Sequence, residues 1–127
     1  MSDSESDCLF CKLLAGELPC SVIRETDTTF AFRDANPQAP THVLLVPRSH
    51  YPDAAALAAE DPALLVDLFH VAADVAEEEG VAESGYRLLF NTGADAGQTV
   101  FHAHLHLLGG QPLGPLVGSP AGVARNG

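Results

Sequence analysis

Residues 102–108, His102-Ala103-His104-Leu105-His106-Leu107-Leu108, alternate imidazole with apolar side chains, and no other stretch restricts the local structure as tightly. In a strand, successive side chains project to opposite faces, so residues two apart share a face. Read this way, Ala103, Leu105 and Leu107 meet a core while the three histidines line the other side. Such a row is poor packing material, because each ring carries two nitrogens that need partners once they leave water. Near neutral pH imidazole is a nucleophile, a proton carrier and a metal ligand, since its ordinary pKa is about 6.5. Three of the six histidines within five residues therefore point to chemistry. The bland alternatives are a solvated strand face and adventitious metal binding.

The rest of the chain predicts what this strand packs into. Residues 8–15 have helical spacing, with Asp7 as N-cap and Gly16 as stop. Residues 22–25 and 28–34 read as a hairpin, and Pro37 and Pro40 mark a loop after it. In 42–47 the run Val43-Leu44-Leu45-Val46 suits a strand covered on both faces. A helix is expected over 62–79, capped by Asp61, opened by Pro62 and ended by Gly80, with Leu64, Leu68, Val71, Ala72 and Val75 on one face. Glu77-Glu78-Glu79 lies where the helix dipole disfavours negative charge, and a solvated face is the expectation for it. Residues 86–91 form a further strand. The implied class is α+β: an antiparallel sheet of about five strands, one long crossover helix and a short N-terminal helix.

At 127 residues and 46% hydrophobic content this is one globular domain, with an acidic disordered tail expected over 1–7 and an irregular tail over 111–127. No apolar run approaches the roughly 20 residues that span a bilayer. The polar, acidic start lacks the features of a secretory signal, so a cytoplasmic location is expected. Seventeen acidic against six basic residues leave a net charge of −11, which excludes polymeric nucleic acid as a partner, since affinity for its backbone rests on Lys and Arg. A small phosphorylated ligand remains compatible. Three cysteines, Cys8, Cys11 and Cys20, do not make a disulfide framework in such a chain, and Cys20 has no assigned role. The Cys8-x-x-Cys11 pair is half of a structural zinc site, which needs four ligands.

The loop before the histidines, Gly97-Gln98-Thr99, supplies glycine for close backbone approach, amides that can form an anion-binding nest and two side-chain donors. Donors beside a nitrogen nucleophile suit transfer at phosphorus, where the protein positions the phosphoryl group and stabilises its charge. Residues 97–108 resemble the motif of the histidine triad (HIT) superfamily, H-φ-H-φ-H-φ-φ, which His102 to Leu108 match at every position. Residues 34–47, Asp34-Ala35-Asn36-Pro37-Gln38-Ala39-Pro40-Thr41-His42 and onward, are similar to a segment of its Hint branch, and the likeness runs over about 8–110.

What the resemblance implies is a HIT-like fold and a homodimer. The implied activity is hydrolysis of purine nucleoside phosphoramidates or related nucleotides through a nucleotidyl-histidine, with no cofactor required for catalysis. His104 would attack phosphorus. If its Nδ1–H donates to the His102 carbonyl, Nε2 keeps its lone pair. The other catalytic positions would be His102, His106 and Thr99. His106 and the Gln98–Thr99 donors would hold phosphate oxygens or help the leaving group, Asp34 would accept from the ribose hydroxyls, Asn91 would lie near the sugar or phosphate, and Ala35 and Gly97 would complete the nucleotide-binding set. Leu9, Phe10, Leu13 and Phe32 would wall the base pocket; plain core packing is the alternative for them, and a turn cap for Asp34. The likeness to zinc-bearing bacterial members implies a structural zinc on Cys8, Cys11, His50 and His102. His42 reads as a core hydrogen-bonding residue and His70 as a surface one. Dinucleoside polyphosphate hydrolysis, nucleotidyl transfer and a non-catalytic nucleotide- or zinc-binding scaffold are the rival readings. Hint proteins often end in a Trp-Pro-Pro tail; this chain has no tryptophan and continues Gln111-Pro112-Leu113-Gly114, which leaves leaving-group preference open.

Overall fold

A computed structural model describes residues 7–116, so the expectations for 1–7 and 111–127 fall largely outside the described residues. The element order is α1 (Leu9–Leu14), β1 (Val22–Glu25), β2 (Thr29–Arg33), β3 (Thr41–Pro47), α2 (Ala54–Glu60), α3 (Pro62–Glu78), β4 (Tyr86–Leu89) and β5 (Leu105–Gly109). All strand pairs are antiparallel, in one sheet ordered β1-β2-β3-β5-β4. β3 sits at the centre, and every residue of it is buried, as its unbroken apolar run requires. Val43 and Leu45 join Ala31, Leu105 and Leu107 beneath α3, while Leu44 and Val46 face Phe10, Phe30 and Phe32 on the other side. α3 turns Leu64, Leu68, Val71, Ala72, Val75 and Ala76 inward. The five-strand α+β sheet expected from the sequence is the one observed. No helix among the described residues is long and apolar enough to cross a membrane.

Four local expectations need correction. The crossover holds two helices. The sequence does not announce α2, because Ala-Ala-Ala-Leu-Ala-Ala-Glu offers one large apolar anchor, Leu57, and no amphipathic period. Asp53 caps it, and Asp61 both ends it and caps α3. The cap of α1 is not Asp7 but the Cys8 thiol, 3.3 Å from the Cys11 amide. The acidic run closing α3 is not simply solvated. Glu79 forks onto Arg33 through contacts of 2.8 and 3.0 Å, and Glu78 pairs with Arg24 at 2.7 Å, so the run clamps the helix end to β1 and β2. Finally, β4 stops two residues short of Asn91, and β5 begins only at Leu105, so His102 and His104 precede the ladder and His106 alone lies within it. The alternation survives outside the ladder: Ala103, Leu105 and Leu107 enter the α3 core.

Candidate active site and metal centre

The register assembles the site on the sheet face opposite α3. Leu44 pairs with both Phe32 and His106, so the phenylalanine, leucine and histidine rows of β2, β3 and β5 share that face. Asp34, one residue past β2, donates its N–H to the His42 carbonyl (3.0 Å), which extends the row by a carboxylate and an imidazole. All three triad histidines are buried.

His104 lies where the sequence reading puts a nucleophile. Its Nδ1–H donates to the His102 carbonyl at 2.8 Å, which fixes the tautomer and leaves the Nε2 lone pair in place. Its neighbours are the Phe10 ring, edge-on at 4.9 Å between centroids, and the His106 ring, also at 4.9 Å. The segment itself is pinned by the Ala103 N–H, which donates to the Tyr51 carbonyl at 2.7 Å.

His42 has a larger part than the sequence suggests. It is buried and hydrogen-bonded as expected, but its partners belong to the site. The Gln38 N–H donates to His42 Nδ1 (3.0 Å), so the neutral ring carries its proton on Nε2. That N–H lies 3.0 Å from His106 Nδ1 and 3.3 Å from Asp34 Oδ2. Because His106 accepts at Nδ1, it carries its own proton at Nε2, an atom that is buried without a partner among the described residues. The chain from Gln38 through His42 therefore makes His106 a hydrogen-bond donor. Asp34, His42 and His106 also bring three potential metal-ligand atoms together. A metal on His42 Nε2 would strip the proton that the Gln38 amide holds there, so the hydrogen-bonded chain is the better account. No sequence signal singles out His42, since its role depends on strand register.

Burial pushes His106 down to about 3, with His104 and His42 adding to the effect. Burial likewise lowers His42, against the pull of Asp34. An unfolded histidine titrates near 6.5. The folded state thus excludes protons the unfolded chain accepts, and this contribution to stability is intact above pH 6.5 and is lost as pH falls toward 3. For His106 the loss between pH 7 and pH 5 is ~2 kcal/mol. Urea unfolding at the two pH values should give a pH slope that is clearly shallower in His106→Gln. Equal slopes in the two proteins would sink the assignment.

A cavity of about 620 Å³ shares Phe10 with the surroundings of His104 and is lined by Leu9, Phe10, Leu13, Phe32, Asp34, Ala35 and Thr99. These are residues the resemblance gives to the nucleotide. Leu18, Cys20, Leu44 and Val100 line it too, and nothing in the sequence points to them. Burial, with Glu25 nearby, raises the Cys20 thiol, which therefore stays protonated. Gly97, Gln98 and Asn91 are not part of the lining. The Gln98 amide hydrogens go to the Pro52 and Val100 carbonyls (2.8 and 3.0 Å), and its oxygen accepts from Gly93 N–H (2.8 Å). The Gly97 and Gln98 N–H groups are bonded to Ala94 and Gly93. Gln98 therefore builds the loop, and neither it nor the Gly97 amide offers the phosphate donor expected from the sequence. Asn91 lies two residues beyond Leu89, which pairs with His106, and so sits toward the His104 end of the strand.

Behind Phe10, Cys8, Cys11, His50 and His102 converge, positioned to bind a metal. The His50 and His102 Nδ1 atoms are 3.2 Å apart, and the sulfur-to-nitrogen separations are 3.4, 3.5 and 3.6 Å. Ligands about 2.0 Å (N) and 2.3 Å (S) from a tetrahedral zinc stand roughly 3.3–3.8 Å from one another, so the donor set fits. The His102 Nε2–H donates to the Pro47 carbonyl at 2.8 Å, which leaves Nδ1 as the lone-pair nitrogen and orients the ring. His70 is exposed, as expected.

An imidazole with a fixed tautomer, near an apolar cavity that a carboxylate also lines, makes an arrangement suited to a nucleotide on one face of an antiparallel sheet. The HIT domain pattern matches residues 15–113, and the chain belongs to the HIT family. It is 46% identical over 109 residues to the purine nucleoside phosphoramidase of Escherichia coli strain K12, covering 86% of this chain and 92% of that one. Among solved structures it is similar to a HIT family hydrolase from Clostridium thermocellum, with a TM-score of 0.83 and 45% identity over 86% of this chain and 95% of the other. The histidine triad nucleotide-binding protein of Candida albicans is more distant, with a TM-score of 0.73 and 33% identity over 79% and 72% of the two chains.

Proposed function

We propose that this protein hydrolyses purine nucleoside phosphoramidates, releasing the nucleoside monophosphate and an amine. The observation that carries the reading is the 2.8 Å bond from His104 Nδ1 to the His102 carbonyl, which aims an unprotonated Nε2 away from the backbone. The similarity to the E. coli phosphoramidase supports the choice of substrate. The base enters the apolar cavity against Phe10 and Phe32, the ribose hydroxyls donate to Asp34, and the phosphoryl group reaches His104. Nε2 attacks phosphorus while the P–N bond breaks, its electron pair leaving with the amine, which takes a proton from water. The adduct is a phosphorylated imidazolium, since Nδ1 keeps its proton. His106 Nε2–H and Thr99 hold the phosphoryl oxygens. Water then attacks phosphorus, His104 leaves as the neutral ring and a proton passes to solvent.

The test is a substrate panel followed by ³¹P NMR: adenosine and guanosine phosphoramidates, a dinucleoside polyphosphate and a sugar nucleotide. Release of AMP or GMP from the phosphoramidates at the highest kcat/KM supports the reading. Preference for the dinucleotide, or transfer to a sugar phosphate, assigns the same histidine to a rival reaction. Binding without turnover assigns a scaffold.

Two further assignments belong to this reading. Zinc is the metal for the Cys8, Cys11, His50 and His102 set, because two thiolates with two imidazoles suit it best. When bound, it supplies structural cross-linking and takes no part in the chemical steps. A second copy of the chain packs on the β4 side: β4 has a neighbour on one edge only, Phe69 of α3 lies against Phe90 just past β4, and Val66, one turn earlier in α3, and Phe69 are 53% and 43% exposed. Light scattering should give twice the chain mass, falling toward the monomer in Val66→Glu/Phe69→Glu. A monomeric wild type would refute the dimer.

A further inference from the structure

The carboxylate that serves the ribose in the proposed function is also wired to the phosphate end of the site. Asp34 uses Oδ1 to accept the Asn36 N–H (2.8 Å), which closes a turn, and keeps Oδ2 at 3.3 Å from His42 Nε2. The same His42 N–H faces His106 Nδ1 at 3.0 Å. One hydrogen thus has two acceptors, and His42 cannot carry it elsewhere, because the Gln38 N–H occupies Nδ1 at 3.0 Å. His42 is fully buried and the Asp34 side chain is 20% exposed, so the competition takes place at the edge of the nucleoside cavity, which Asp34 lines.

We propose that Asp34 is a positioning residue for the phosphoryl step, releasing the His42 N–H to His106 when ribose hydroxyls occupy its carboxylate. The inference rests on the nucleotide reading given above. A carboxylate that accepts two hydroxyl hydrogens besides the Asn36 N–H has less negative charge to offer the His42 N–H. The longer arm of the fork, at 3.3 Å, weakens first. The His42 bond to His106 Nδ1 then shortens and straightens. Hydrogen bonds that run through a polarisable ring strengthen one another, so a firmer bond at Nδ1 makes the His106 Nε2–H a better donor to the phosphoryl oxygen. No bond to hydrogen breaks in this sequence. Recognition of the sugar thereby acts on turnover as well as on affinity, and a phosphoramidate without vicinal hydroxyls meets a site that is less ready.

The experiment compares adenosine with 2′,3′-dideoxyadenosine phosphoramidate in the wild type and in Asp34→Asn. Asparagine keeps the oxygen that closes the turn and replaces Oδ2 by an amide that cannot accept. In the wild type, loss of the hydroxyls should raise KM and lower kcat about tenfold. In Asp34→Asn the two substrates should share one kcat within about twofold, because no competing acceptor remains. A wild-type kcat that ignores the hydroxyls, with only KM affected, overturns the inference and leaves the proposed function standing. Imidazole ¹⁵N NMR gives a second readout independent of turnover: saturating AMP should shift His42 Nε2 and His106 Nδ1, and saturating 2′,3′-dideoxy-AMP should not. Identical shifts with both nucleotides overturn the coupling even if the wild type hydrolyses neither phosphoramidate, an outcome that would itself refute the phosphoramidase reading.

Discussion

Replacing His104 by alanine or asparagine should abolish turnover, lowering kcat on the order of 10⁴-fold or more, with no nucleotidyl adduct on rapid quenching. Both variants remove the side chain whose neutral tautomer is set by the bond from Nδ1 to the His102 carbonyl, so that Nε2 carries the lone pair. They differ in what they do to the fold. Alanine leaves the buried His102 carbonyl without its donor, a loss of about 1–3 kcal/mol. It also opens space beside Phe10, whose ring packs edge-on against His104. Asparagine can return an N–H to the same carbonyl. The expected pattern is an alanine variant with lower thermal stability, an asparagine variant near the wild type, and equal loss of catalysis in both. Intact-mass spectrometry during turnover checks the adduct. If asparagine retains substantial turnover, the nucleophile is misassigned, since nothing else in that variant can carry a phosphoryl group at this position.

How far the sequence discloses such a site depends on the range of the interaction. The His104 tautomer lock spans only two residues, so the family likeness can imply it from the motif alone, and the 2.8 Å bond bears the geometry out. Helical spacing discloses the helix that carries Leu9, Phe10 and Leu13, while their place in a pocket comes from the family likeness, as do the metal ligands together with the cysteine pair. His42 is different. Its part in the site exists only because β3 pairs with β5 in the register that sets Leu44 opposite His106, so that Asp34, His42 and His106 meet. No local pattern encodes that register. Gln98 misleads for the opposite reason: a polar residue in a glycine loop reads as a free donor, yet burial obliges it to satisfy its own neighbours. The acidic run at 77–79 is unreadable for the same cause, since Arg24 and Arg33 reach it from strands about 50 positions away in the chain.

If the Cys8, Cys11, His50 and His102 set holds zinc as proposed, its removal should destabilise the fold strongly. α1 has six residues, too few to persist without tertiary support. Cys8 caps it and Cys11 lies in its first turn, which also presents Leu9 and Phe10 to the cavity. A zinc ion on Cys8, Cys11, His50 and His102 would tie this helix to the end of β3 and to the segment that carries His104. Native protein purified without chelators should contain about one zinc per chain. In Cys8→Ser the serine hydroxyl can still cap α1 as the thiol does, so the substitution isolates the metal from the cap. This variant should lose its zinc and melt roughly 10 °C or more below the wild type. It should also bind AMP more weakly, because the wall formed by α1 loosens. Chelator should lower the melting point of the wild type toward that of Cys8→Ser and leave the variant unmoved. Native protein without zinc, whose melting ignores chelator, would show that packing alone holds the four side chains together, with Phe10 and the Pro47 carbonyl as their anchors.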